Sequence, residues 1–81
     1  MSTTNLDLIV ETYGADIVYP LEDLIEDISI EYVVPKEKVE QKLCEIYDRV
    51  EQSWATLPTD IRYYQVLART KMYYAIYHKR K

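Results

Sequence analysis

The sequence predicts an all-α domain built as a small bundle of about four helices. Three observations lead there. Apolar residues recur at the i, i+3, i+4, i+7 spacing of a helix in four successive stretches. Glycine occurs once and proline three times in 81 residues, too few turn formers for an all-β chain. Hydrophobic residues make up 48% of the chain against a net charge of −4, a balance that supports a core and argues against disorder.

The first stretch is Leu6, Ile9, Val10 and Tyr13. Thr4 is expected as its N-cap with Asp7 three residues on, and Gly14 as its left-handed terminator. Leu6, Leu8 and Val10 also alternate, so a short strand stays open at residues 6–13. Pro20 suits a first helical position, where its missing N–H costs nothing. Behind it Leu21, Leu24, Ile25, Ile28 and Tyr32 form an apolar stripe, and Glu22, Asp23, Glu26 and Asp27 fill the opposite face.

Pro35 ends that run and starts the next. Val39, Leu43, Ile46, Tyr47 and Val50 make a third stripe, extended by Trp54, over roughly five turns. Glu45 and Arg49 are spaced for an i, i+4 pair. Leu57-Pro58-Thr59-Asp60 is the following break, with Thr59 expected as N-cap and Asp60 in the first turn. The last helix is expected from about Asp60 to near Tyr77. Ile61, Tyr64, Ala68, Met72 and Ala75 share one side and are expected to face the core. Arg62, Arg69, Tyr73 and Arg80 share another, flanked by Val66 and Tyr77. The chain shows no repeat or linker, so residues 1–81 read as one domain, with 77–81 a mobile basic tail.

Charge is unevenly distributed. Residues 1–35 hold eight acids and no Lys or Arg, whereas residues 61–81 hold six bases and no acid. Either the two ends neutralise one another within the fold, or they are separate surfaces for different partners or for head-to-tail self-association. Nine Tyr, one Trp and no Phe suit half-buried seams and interfaces. A lone Cys44 forms no internal disulfide. No apolar run approaches the ~18 residues of a membrane helix. Met1–Asp7 lacks the basic start and apolar stretch of a secretion signal, so a cytoplasmic location is expected.

Within this frame Ile25–Leu43 has the layout of a helix-turn-helix. Ile25, Ile28 and Tyr32 point inward, Val33-Val34-Pro35 turn, and Val39 and Leu43 anchor a second helix. The run Glu31-Tyr32-Val33-Val34-Pro35-Lys36-Glu37-Lys38-Val39-Glu40-Gln41 resembles helix-turn-helix units of the sigma-factor region-four type. Val33 stands where those units carry glycine, and Glu40 where they commonly carry a base. The resemblance implies duplex DNA as partner, with Lys36, Lys38 and Lys42 on phosphates and Gln41 on an adenine edge.

Two other faces compete for the role. The Arg62, Arg69, Tyr73, Arg80 stripe suits phosphates and bases, or a protein interface, where Tyr and Arg are the enriched anchors. The acidic face of Glu22, Asp23, Glu26 and Asp27 is most simply a solvated helix surface. Catalysis has little to work with. His78 is the single histidine and lies in a basic tail, Cys44 has acids around it, and one glycine makes no phosphate loop. The sequence therefore predicts a binding module rather than an enzyme, with no cofactor and no metal. DNA binding in a regulatory role is the first expectation. A protein-binding adaptor or inhibitor, using the acidic and Tyr/Arg-rich faces as a phage or regulatory protein could, is the alternative, and a self-assembling subunit is the third.

Overall fold

A computed structural model describes residues 5–14, 16 and 18–78. Four helices follow in order: α1 (Leu6–Tyr13), α2 (Val18–Tyr32), α3 (Lys36–Ser53) and α4 (Thr59–Tyr77). Among the described residues there is no strand, so residues 6–13 are helical. α3 packs against each of the other three helices, and its seam with α4 is the most extensive.

The core gathers Ile9 from α1, Leu21, Leu24, Ile25, Ile28 and Tyr32 from α2, Val39, Leu43, Tyr47 and Val50 from α3, and Val66 and Tyr74 from α4. On α2 and α3 this is the expected stripe. Ile46 and Trp54 sit half-buried at its margin. Truncating a buried leucine such as Leu43 costs about 2–5 kcal/mol in cores of this kind.

α1 is too short to hold itself as a helix, so its contacts with α3 fix it. Ile9 is fully buried. The Thr12 hydroxyl donates to the Leu8 carbonyl at 2.9 Å and lies 2.7 Å from the Tyr47 hydroxyl, within hydrogen-bond reach. The Tyr13 hydroxyl donates to Glu51 Oε2 at 2.8 Å. The N-cap is Asn5, whose side-chain oxygen accepts from the Leu8 N–H at 3.0 Å; the expected cap, Thr4, lies outside the described residues. Gly14 has the expected positive φ of 108°, but ψ of 153° puts it outside the left-handed helical region. Its N–H still closes the helix on the Val10 carbonyl at 2.7 Å.

Three further expectations shift. α2 starts at Val18, so Pro20 is its third residue, still within the first turn where N–H groups have no intrahelical partner. Pro58, not Thr59, is the N-cap of α4, and the Asp60 carboxylate accepts from the adjacent Ile61 N–H at 3.0 Å. Glu45 pairs with Lys42 at 2.6 Å instead of with Arg49.

The largest correction concerns α4. Its buried residues are Val66, Thr70 and Tyr74, on nearly the opposite side from the expected Ile61, Tyr64, Ala68, Met72, Ala75 stripe at 100° per residue. Ile61, Tyr64 and Met72 are exposed instead, by 43%, 73% and 57%. Thr70 explains the reversal. A hydroxyl reads as polar, yet Thr70 Oγ1 donates to the Val66 carbonyl at 2.7 Å, so it is buried at little cost. Val66, expected beside the basic stripe, is fully buried.

The turn between α2 and α3 carries the one non-glycine residue of positive φ among those described, Val33 at 53°. Behind it the Val34 N–H bonds the Ser29 carbonyl at 3.1 Å, and Ser29 Oγ donates to the Val34 carbonyl at 2.6 Å. This is the six-to-one closure of a helix that ends on a left-handed residue. A β-branched side chain there costs about 1–2 kcal/mol relative to ordinary helical backbone.

Candidate functional site

Because α4 buries Val66, Thr70 and Tyr74, its other apolar residues need another neighbour, and α3 supplies one wall. Ile46, Arg49, Val50 and Ser53 repeat at i, i+3, i+4 and i+7, and Trp54 closes their end. Gln65, Ala68, Arg69, Met72 and Ile76 repeat likewise on α4, with Tyr73 and Tyr77 beside them. Between the two walls lies an open groove of about 750 Å³. Met72, Ile76 and Tyr77 reach water along it. No acid lines it, although the chain holds 14. Its charges are Arg49 and Arg69, and the Arg69 guanidinium carbon stands 4.3 Å from the centroid of the Trp54 ring.

The basic stripe divides at this point. Arg62 lies one turn before Val66, at the edge of the core. Its Nη1 donates to the carbonyls of Leu57 (2.7 Å) and Ala55 (3.0 Å). Its Nε stands 2.8 Å from Glu51 Oε2, an ion pair without the alignment of a hydrogen bond. Only 15% of the Arg62 side chain and 25% of that of Glu51 reach water. The same Glu51 oxygen accepts from Tyr13, so one carboxylate joins α1, α3 and α4. Burial raises the Tyr13 pKa well above its ordinary value, and the hydrogen bond to Glu51 adds to this. Arg62 is therefore a structural clamp, Arg69 and Tyr73 belong to the groove, and Arg80 lies outside the described residues.

The basic residues of α3 also divide. Lys36 and Lys38 are exposed, as is the neutral Gln41. Lys42 is half-buried, paired with Glu45 and 4.4 Å from the Tyr73 ring centroid. His78 closes that corner, its ring 4.6 Å from Tyr74 and 5.4 Å from Tyr73 between centroids. Burial raises the Tyr74 pKa. On α2, Glu22, Asp23, Glu26 and Asp27 are all exposed, with Tyr19 and Ile30 exposed among them by 77% and 69%.

Cys44 is half-buried, and burial followed by Asp48 and Glu40 pushes its pKa up to about 11, so it stays a thiol at neutral pH. Among the described residues no cluster of three His, Cys, Asp or Glu side chains could hold a metal ion. No described helix is long and apolar enough to cross a membrane.

No family model, curated protein or solved structure matches the chain. The fold defines a small all-α bundle, and the side chains alone carry the functional argument.

Sequence reasoning grouped Ile46 and Trp54 with the core and gave Arg49 to Glu45, so it missed this groove. The available signal was α4 itself. Val66, Leu67 and Tyr74 mark one apolar side and Met72 and Ile76 another, and a helix with two apolar sides needs neighbours on both.

Proposed function

We propose that the chain is a non-catalytic interaction module whose α3–α4 groove receives an amphipathic helix with acidic residues beside its apolar stripe. One observation carries this reading: an exposed apolar trough containing Trp54, Met72 and Ile76 that is flanked by two arginines and lined by no acid. Trp, Tyr and Arg are the residues that anchor protein interfaces. Acids on the incoming helix meet Arg49 and Arg69.

Trp54 is the single tryptophan and reports directly on the groove. The test is a fluorescence titration with two designed helical peptides that share one leucine stripe and carry either glutamates or lysines beside it. The glutamate peptide is expected to shift Trp54 emission and bind about tenfold or more tighter than the lysine peptide, a difference of about 1.4 kcal/mol. Met72→Glu is expected to abolish the binding. Equal response to both peptides, or an unaffected Met72→Glu variant, contradicts the proposal.

A second reading, DNA binding through a helix-turn-helix-like α2–α3 pair, is favoured by Val33. It is left-handed at the position where such units carry glycine, and Lys36, Lys38 and Gln41 are exposed just after it. Against it stand the acids of α2 and the engagement of Lys42 by Glu45 and Tyr73. Duplex binding followed against salt decides it. Binding that falls steeply with salt and is lost in Lys36→Glu/Lys38→Glu supports it, and no binding at low salt removes it.

A further inference from the structure

We infer that the helix the groove receives is α2 of a second copy of this chain, which makes the module self-assemble head to tail. The inference rests on the groove being a docking surface.

The outer face of α2 carries acids between two exposed apolar residues. Tyr19, Asp23, Glu26 and Ile30 fall at i, i+4, i+7 and i+11, a single stripe along the helix. All four are exposed, and the two ends are large and apolar while the middle is acidic. An acidic helix face that merely keeps a protein soluble does not need Tyr19 and Ile30 bare at its ends.

The groove is the counterpart of that stripe. On its α4 wall, Gln65 to Ile76 spans eleven residue steps, as does Tyr19 to Ile30, about 16 Å at the helical rise. Arg69 lies four residues into that wall. The acids of the stripe lie four and seven residues from its start, so Arg69 meets Asp23 if the helices run parallel and Glu26 if they run antiparallel. One apolar end then rests on Ile76, Ile30 in the parallel arrangement and Tyr19 in the antiparallel one, and the other lies beside Gln65.

The two surfaces lie on different helices and are not self-complementary. A single contact leaves one free α2 face and one free groove in the pair, and growth continues as a chain unless it closes into a ring of two or more copies. The opposed charge of the sequence halves then has a structural use.

Sedimentation velocity from micromolar to millimolar protein tests this with two variants, Asp23→Lys/Glu26→Lys on α2 and Met72→Glu in the groove. All three substituted side chains are exposed, and circular dichroism checks that both variants keep their helices. The parent is expected to form oligomers that grow with concentration and dissociate in high salt. Each variant alone is expected to stay monomeric. An equimolar mixture is expected to give the mass of two chains and no more, because one intact groove meets one intact α2 face. A parent that stays monomeric at every concentration overturns the inference, as does an α2 variant that assembles like the parent. If the glutamate peptide still shifts Trp54 in a monomeric parent, only the self-assembly inference fails. If the peptide also fails, the groove reading falls with it.

Discussion

Arg62 and Arg69 stand seven residues apart on α4 and occupy contrasting surroundings. Arg62 is held by two carbonyls of the α3–α4 connection and by Glu51, with little of its side chain in water. Arg69 lies exposed over the Trp54 ring, facing the groove. The same residue type thus fixes the fold in the first turn of the helix and forms a surface near its middle. Burial and the direction of the hydrogen bonds decide which, since the Arg62 guanidinium is turned inward onto its own chain's carbonyls and carboxylate.

The largest expected effect comes from breaking the first of the pair. Arg62→Ala leaves Glu51 without its cation and two connection carbonyls without a donor, a loss of about 2–4 kcal/mol. Chemical denaturation measures it. A loss below about 0.5 kcal/mol, typical of a surface charge, contradicts the clamp.

The clamp has a pH signature through Tyr13. Its hydroxyl is held protonated in the folded state, above an ordinary value of 10.0. A raised folded pKa contributes stability that is fully present below pH 10 and is lost as pH rises above it. Parent and Tyr13→Phe stabilities are therefore expected to converge as the pH rises above 10. Curves that remain parallel across that window would show that the Tyr13–Glu51 contact has no such role.

Val33 lies outside α4, and its strain is relieved without touching either arginine. Val33→Gly removes the left-handed penalty and is expected to raise the midpoint of unfolding by about 1 kcal/mol equivalent. An unchanged or lowered midpoint contradicts the φ of this turn.

The smallest stability effect belongs to Arg69→Ala. An exposed guanidinium on an indole contributes about 0.5–1 kcal/mol at most. The same substitution is expected to weaken the glutamate peptide by about tenfold while sparing Lys36 and Lys38. If stability falls as far as in Arg62→Ala, the two arginines are alike and the contrast is lost.

The contrast also explains which parts of the fold were legible in the sequence. Leu21, Leu24, Ile25, Ile28 and Tyr32 face a run of acids on their own helix, so only one phase of α2 can be buried. Val39, Leu43, Tyr47 and Val50 have Lys38, Gln41 and Asp48 opposite them and are equally plain. α4 offers no such contrast. Its apolar residues lie on two sides of the helix, and the buried phase is marked by Thr70, whose bond to the Val66 carbonyl is invisible in a hydropathy pattern. The stripe that looked like core is largely bare, and Ala68 and Met72 from it line the groove. The groove was illegible for the same reason, since recognising it requires knowing which face of α4 the bundle has already used. The fate of Arg62 was hidden too, because its acceptors are backbone carbonyls of the connection, which carry no sequence signal.

On this account the unburied apolar face of α4, together with α3, is the surface that meets a partner. Amide chemical-shift mapping during titration with the glutamate-flanked helical peptide tests it most directly. Shifts confined to Ile46, Arg49, Trp54, Arg69, Met72 and Ile76 are the predicted result. Shifts centred on Lys36, Lys38 and Gln41, or none at saturating peptide, would contradict it.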